Sequence, residues 1–226
     1  MARIARVVIP GCPHHIIQRG NRRQNVFFSD TDKALYVTLL KRLVDKQVLS
    51  IWAYCLMSNH VHLIAVPARK DSFARGLAEA HRKYTSLINI REDWKGYLWQ
   101  GRFISYPLDE AHCYAAVRYI ERNPVRAGLV ARAEEYPWSS AHAHVQASAD
   151  ALLSTCPLES SIPDWARYLG QEDMEQNIKE FAEHETTGRP LGSDEFVRAL
   201  EQKLGRVLFP LRRGRKKSEM SIVSPN

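Results

Sequence analysis

His60-Val61-His62 is the stretch of this chain whose residue types and spacing most directly suggest chemistry. On a β-strand, side chains at i and i+2 project from one face with their backbones about 6.5–7 Å apart. Two imidazoles so placed can converge on one divalent ion while Val61 packs into the opposite face. The surrounding run, Leu56-Met57-Ser58-Asn59 before and Leu63-Ile64 after, puts the pair at the start of a strand of central character. Imidazoles directed from such a strand toward a sheet surface need either a metal or hydrogen-bond partners. Spacing alone is weaker evidence. Nine histidines in 226 residues give roughly 0.36 such pairs by chance, and His142-Ala143-His144 is a second instance with no strand pattern around it. Packed or surface histidines are the competing interpretation. A second constellation is Tyr119-Ile120-Glu121-Arg122-Asn123. Helical residues at i and i+4 share a face with about 6 Å of axial separation, so a phenol and a carboxamide would project side by side. The alternative is ordinary: Tyr119 as a packing aromatic and Asn123 as a helix cap before Pro124.

These side chains depend on the elements that carry them. Residues 4–9 (IARVVI) suit a strand or its lead-in, ended by Pro10-Gly11. His14–Gln18 is extended and runs into a basic turn, Arg19-Gly20-Asn21-Arg22-Arg23. Ser29-Asp30-Thr31-Asp32 starts a helix whose Leu35, Leu39, Leu40, Leu43 and Val44 recur at helical spacing to about Gln47. Leu49–Met57 and His60–Val66, separated by a polar turn, predict a hairpin. Asp71-Ser72 opens a helix with the stripe Phe73, Leu77, Ala80, Tyr84, Leu87 and Ile88. Phe103–Pro107 is a short strand, and a helix from Ala111 to about Arg122 is stopped by Asn123-Pro124. The order strand, helix, hairpin, helix, strand, helix predicts an α+β domain over residues 1–148: a ferredoxin-like antiparallel sheet with helices on one face. Beyond Val145 the composition changes. Pro157–Arg167 suits a loop, Gln171–His184 and Ser193–Leu204 suit short helices, and residues 149–226 form a small, mostly helical C-terminal region with a basic tail.

Composition narrows the class. With 45% apolar residues and 9% aromatics, the chain is globular in type. No apolar run reaches the ~20 residues of a membrane span, and Met1–Val8 is too short and Arg-rich for a signal peptide; a cytoplasmic protein is expected. Cys12, Cys55, Cys113 and Cys156 are widely spaced without a C-x-x-C pair, which predicts free thiols and argues against a cysteine zinc site. The net charge of +7 and pI near 9.3 suit a polyanionic partner. The charge is clustered: Arg19, Arg22 and Arg23 share one turn, and Arg212, Arg213, Arg215, Lys216 and Lys217 crowd the tail. Trp94, Tyr97 and Trp99 could stack on unpaired bases or pack as core.

Three separated segments carry a family resemblance: Pro13-His14-His15-Ile16-Ile17-Gln18-Arg19-Gly20-Asn21, Met57-Ser58-Asn59-His60-Val61-His62, and Tyr119-Ile120-Glu121-Arg122-Asn123-Pro124-Val125-Arg126-Ala127-Gly128-Leu129-Val130. In order and spacing they resemble single-tyrosine transposases of the His-hydrophobic-His (HUH) class, in particular the REP-associated tyrosine transposases. The resemblance runs from about Arg3 to Trp138-Ser139-Ser140; beyond it, Gly188-Arg189-Pro190-Leu191-Gly192 and the basic terminus resemble tails of the same branch. It implies that His60 and His62 are metal ligands, that Asn123 adds a third ligand through its amide oxygen, and that the ion is Mg²⁺ or Mn²⁺. It implies Tyr119 as the nucleophile. Tyr114, five residues earlier and about 140° around the helix, is a rival that the Tyr-x-x-x-Asn-Pro-Val context disfavours. The implied activity is a metal-dependent single-stranded DNA endonuclease and strand transferase, acting on hairpin-forming DNA through a 5′-phosphotyrosine. Arg19, Asn21, Arg22, Arg23 and Arg102, with Arg212, Arg213, Arg215, Lys216 and Lys217, are the expected DNA contacts, positioning rather than reading the strand. Two other classes stay open: a non-catalytic nucleic-acid-binding regulator, and a hydrolase that uses water at the metal without Tyr119. Monomer and homodimer are both compatible with the resemblance.

Overall fold

Local chemistry sets the start of the first helix. In the computed structural model, which describes residues 4–210, the Asp32 amide donates to the Ser29 hydroxyl and the Ser29 amide donates to the Asp32 carboxylate. This reciprocal cap satisfies donors that the first turn would leave open. β1 (His14–Arg19) precedes α1 (Asp30–Asp45), and the hairpin of β2 (Leu49–Leu56) and β3 (His60–Pro67) follows it. A π-helical turn at Ser72–Leu77 leads into α2 (Ala78–Arg91), then β4 (Ile104–Pro107) and α3 (Glu110–Glu121). The strands lie in the order β2-β3-β1-β4, each neighbouring pair antiparallel. This is the α+β, ferredoxin-like arrangement expected from the order of elements.

The layering differs from the one-face expectation. α1, the π-helical turn and α2 cover one face, packing Tyr36, Leu40, Leu77 and Tyr84 on Ile16, Val61, Leu63 and Ala65. The opposite face is covered as well: α3 lays Cys113, Ala116, Val117 and Ile120 on Ile17, Ala53, Cys55, Ile64 and Tyr106. The cause is visible in the strands, where Ile16 and Ile17, then Leu63 and Ile64, are consecutive buried apolar residues. A strand apolar on both sides must be buried on both sides.

Four short helices follow, α4 (Asn123–Arg126), α5 (Ala141–Gln146), α6 (Pro157–Ser161) and α7 (Trp165–Gly170), before α8 (Glu175–Thr187) and α9 (Asp194–Leu204). Pro157–Arg167 is thus not a loop; Cys156 and Asp164 side chains cap α6 and α7. Nor does Asn123-Pro124 stop the helical path. Arg122 keeps near-helical angles, and Pro124 occupies the first turn of α4, where its missing N–H costs nothing. Residues 4–9 form no strand; Val7 and Ile9 pack against Val197 and Leu200 of α9. Trp165, Leu169 and Phe181 join the core beneath α3. Leu87 is exposed rather than part of the α2 stripe. All four cysteines are free, and among the described residues no helix is long and apolar enough to cross a membrane.

Two buried histidines hold this fold together as neutral rings. His14 Nε2 accepts from the Ile9 amide and its Nδ1 meets the Cys12 carbonyl at 2.8 Å; His81 Nε2 meets the Tyr36 hydroxyl at 2.7 Å. Burial lowers their pKa to about 4 and about 3 respectively. In the unfolded chain both titrate near 6.5, so the unfolded state takes up protons first as pH falls. Their contribution is complete above about pH 6.5 and erodes below it by about 1.4 kcal/mol per histidine per pH unit. Urea denaturation at pH 5.5 should therefore give a stability about 3 kcal/mol lower than at pH 8 from this pair alone. His81→Gln should flatten the pH dependence by one proton; stability independent of pH over this range would contradict the assignment.

Candidate active site

Strand register gathers the chemistry on one face. β1 pairs with β3 so that Arg19 lies opposite His60, Ile17 opposite His62 and His15 opposite Ile64. β4 puts Tyr106 opposite His15. Directly opposed residues share a face of the sheet, so His15, Arg19, His60, His62 and Tyr106 all lie on the side covered by α3. The His60 and His62 rings have centroids 4.9 Å apart. Each is held through Nδ1: His60 to Asn59 Oδ1 at 2.6 Å, His62 to His15 Nε2 at 2.9 Å. Among the described residues nothing engages Nε2 of either ring. That leaves two imidazole nitrogens of the kind a divalent ion requires. Burial, reinforced by Arg19 and Arg126, lowers the His60 pKa to about 4, and burial with His60 and His15 alongside holds His62 well below the ordinary value. Both rings are therefore neutral at physiological pH, the form that ligates metals. Among the described residues no group of three or more His, Cys, Asp or Glu side chains could hold a metal ion.

Tyr119 approaches the pair from α3. Its half-buried ring lies with its centroid 6.0 Å from that of His62 and 6.3 Å from that of His15. The Arg126 guanidinium sits 4.0 Å above the Tyr119 ring and donates to the Tyr119 carbonyl. Phe181 of α8 packs on the ring at 4.8 Å. Burial and the charge of Glu185 push the phenol pKa up, while Arg126 and Arg19 pull it down. This stretch of helix is tied in place by charge. Arg118, Arg122 and Arg126 recur every fourth residue and meet Asp173 at 3.4, 3.5 and 2.7 Å, just before α8. Asn123 opens α4 one turn beyond Tyr119 and is half-buried. Tyr114 packs elsewhere, its carbonyl accepting from Tyr168 on α7. The second pair of histidines spaced by two does not converge: it lies on α5, where such residues diverge by about 200°. His142 is exposed, whereas His144 is buried, 2.7 Å from Glu121 and stacked on Trp165.

The basic loop is fastened next to His60. A Cβ on Gly20 would lie 2.1 Å from the Gln24 carbonyl oxygen, so only glycine permits this closure. The Gly20 amide donates to the Asn59 carbonyl, and Asn59 Nδ2 donates to the Arg23 carbonyl. Arg22 and Arg23 are exposed, with left-handed φ of 52° and 61°, and Asn21 is half-buried beside them. Arg19 turns inward to pair with Glu185 at 2.8 Å. Arg102 is exposed on a groove of about 1040 Å³ that it shares with Trp94 and Tyr97, 48% and 87% exposed, whereas Trp99 is buried in the core. Arg212, Arg213, Arg215, Lys216 and Lys217 lie outside the described residues.

Sequence reasoning did not single out Phe181, Glu185, Asp173 or Arg126. Their role depends on long-range packing of α8. The available signal was Glu185 at helical spacing after Ile178 and Phe181, an acid continuing an apolar stripe. Its Oε1 is buried without a hydrogen-bond partner.

Comparison with known proteins gives the chain's family and its fold relatives. Residues 9–123, just over half of the 226, match the profile of the family described as IS200-like transposase. The chain is 27% identical over 106 residues to a Haemophilus influenzae protein named as a REP-associated tyrosine transposase, covering 42% of this chain and 60% of the relative. It is 27% identical over 95 residues to the REP-associated tyrosine transposase of Escherichia coli K12, covering 41% of this chain and 54% of the relative. The matched regions thus span little more than half of each relative. The fold is similar to that of a solved REP-associated tyrosine transposase bound to a REP hairpin, with a TM-score of 0.56 and 21% identity over 69% of this chain and 93% of that one.

The Arg19–Glu185 pair gives a direct test of how α8 is docked. Arg19→Met leaves a mostly buried carboxylate without its cation and should cost about 1–3 kcal/mol, discounted because Arg19 is partly exposed. Adding Glu185→Gln should recover most of that loss in a denaturation double-mutant cycle. Additive losses would contradict the pairing.

Proposed function

The chain belongs to the IS200-like transposase family, and from that membership we propose that it cuts and rejoins hairpin-forming single-stranded DNA through Tyr119. In this account His60, His62 and Asn123 hold Mg²⁺ or Mn²⁺. The observation that carries it is the Tyr119 ring, 6.0 Å from the His62 ring across the interface between α3 and the sheet. A purely binding surface has no use for a phenol beside two neutral imidazoles with open Nε2 atoms. A divalent ion supplies Lewis-acid neutralisation of the scissile phosphate.

The phenol oxygen of Tyr119 attacks phosphorus and the bond to the 3′ oxygen breaks. The proton lost by the phenol is balanced by the one gained by the released 3′-hydroxyl, and the 5′ side stays attached as phosphotyrosine. Attack by a 3′-hydroxyl reverses the sequence, so cutting and joining need no external energy source. Because burial and Glu185 hold the phenol pKa above its ordinary value, the tyrosine starts protonated. Arg126, over the ring, and Arg19 supply positive charge that eases the developing phenolate. Arg22 and Arg23 contact backbone phosphates, Asn21 supports their loop, and the tail cations add to the same field. Arg102, Trp94 and Tyr97 offer charge and two exposed rings to unpaired bases.

Incubation with labelled hairpin DNA and Mn²⁺ should yield an SDS-resistant protein–DNA adduct with the wild type and none with Tyr119→Phe. Cleavage that persists in Tyr119→Phe would favour a water-using hydrolase, and binding without cleavage by the wild type would favour a regulator. His60→Ala should slow cutting by at least about 100-fold while leaving DNA affinity within about threefold. Replacing Arg22 and Arg23 together by Ala should reduce the salt slope of binding by about 1.5; an unchanged slope removes the loop from the interface.

A further inference from the structure

His15 has no role in the chemistry above, yet it is the most tightly enclosed of the histidines around the site. It is fully buried, with Nε2 2.9 Å from His62 Nδ1 and Nδ1 2.7 Å from the Tyr106 hydroxyl. Tyr106 is equally buried. A neutral imidazole carries one donor and one acceptor, so this row of three side chains has two proton arrangements. In the first, His62 Nδ1–H donates to His15 Nε2, His15 Nδ1–H donates to the Tyr106 oxygen, and His62 Nε2 keeps its lone pair. In the second, the Tyr106 hydroxyl donates to His15, His15 Nε2–H donates to His62 Nδ1, and the His62 proton sits on Nε2, where it blocks a metal. Only the first makes His62 a ligand.

We propose that Tyr106 and His15 form a buried relay that selects the metal-binding tautomer of His62, acting as positioning residues. The proposal rests on the assignment of His60 and His62 as the metal pair. The first arrangement is the one that the assignment of His62 as a ligand through Nε2 requires. His15 and His62 lie with rings nearly parallel, 28° apart at 5.1 Å, and no water-filled gap is needed between them at hydrogen-bond distance. A metal on His62 Nε2 puts the His62 proton on Nδ1, His15 Nε2 must then accept it, and the His15 Nδ1–H is left to donate to the Tyr106 oxygen. His60 needs no such device. Asn59 Nδ2 donates to the Arg23 carbonyl, which orients the amide so that its oxygen accepts from His60 Nδ1 at 2.6 Å. The two ligands are thus aligned by different means, one by an amide and one by a phenol acting through an imidazole. A metal-ligating histidine is usually fixed by the partner of its other nitrogen, and loss of that partner costs about 10–100-fold in metal affinity.

The test uses the full-length protein, with ¹⁵N NMR of the histidine rings before metal is added and a Mn²⁺ titration followed by EPR. The wild type should show His62 protonated at Nδ1. Tyr106→Phe should shift His62 toward the Nε2–H form and weaken Mn²⁺ binding by about tenfold. His15→Leu should weaken it by more, and His15→Gln, whose amide oxygen can accept from His62, should restore most of the loss. Thermal melts confirm that each variant is folded. His62 protonated at Nε2 in the wild type would overturn the relay, as would folded Tyr106→Phe and His15→Leu proteins with unchanged tautomer and Mn²⁺ affinity. A wild type that leaves Mn²⁺ free while His62 is protonated at Nδ1 would sink the metal assignment and leave the tautomer selection standing.

Discussion

The pairing of β1 with β3 is the constraint from which the rest of the site follows. With Ile17 set against His62, every second residue of both strands faces α3, and the imidazoles of His15, His60 and His62 share that side with Arg19. Strand side chains alternate, so a slip of one residue would turn this face over to Val61 and Leu63 and send the histidines into the opposite core. The slip is opposed from both sides, because each face carries its own buried set: Ile16, Leu63 and Ala65 beneath α1 and α2, Ile17 and Ile64 beneath α3. The double burial that makes the sheet harder to recognise from periodicity also holds its register.

Electrostatics on this face depends on the C-terminal segment. Three imidazoles are kept neutral by burial and by cations, and the two nearest guanidiniums, Arg19 and Arg126, are balanced by Glu185 and Asp173. Phe181 covers the Tyr119 ring from the same segment. The residues that follow the sheet therefore form one wall of the site. They also keep the phenol and its counter-charges at fixed separations, which a loosely tethered appendage could not do.

Much of this was legible in the chain itself. The hairpin of Leu49–Met57 and His60–Val66, the Ser29 cap and the helix carrying Tyr119 follow from local rules, and the structure has them within a residue or two. The approach of Tyr119 to the histidines was legible only through the resemblance of three separated segments, since helical spacing says which residues share a face but not what that face meets. The inward turn of Arg19, the clamp on Asp173 and the contacts of Phe181 and Glu185 are products of packing between segments more than forty residues apart. No local pattern encodes such contacts. The extension of α3 into α4 was hidden by Asn123-Pro124, because proline at a first helical turn looks the same in sequence as proline after a last one.

The central claim is spatial, and anomalous scattering reads it directly. In crystals of the full-length protein soaked with Mn²⁺, the account predicts one strong anomalous peak bounded by the His60 and His62 rings, on the side facing Tyr119, with the Asn123 amide turned toward it. A peak anchored on other residues, or at the histidines with the Tyr119 ring withdrawn from them, would contradict it.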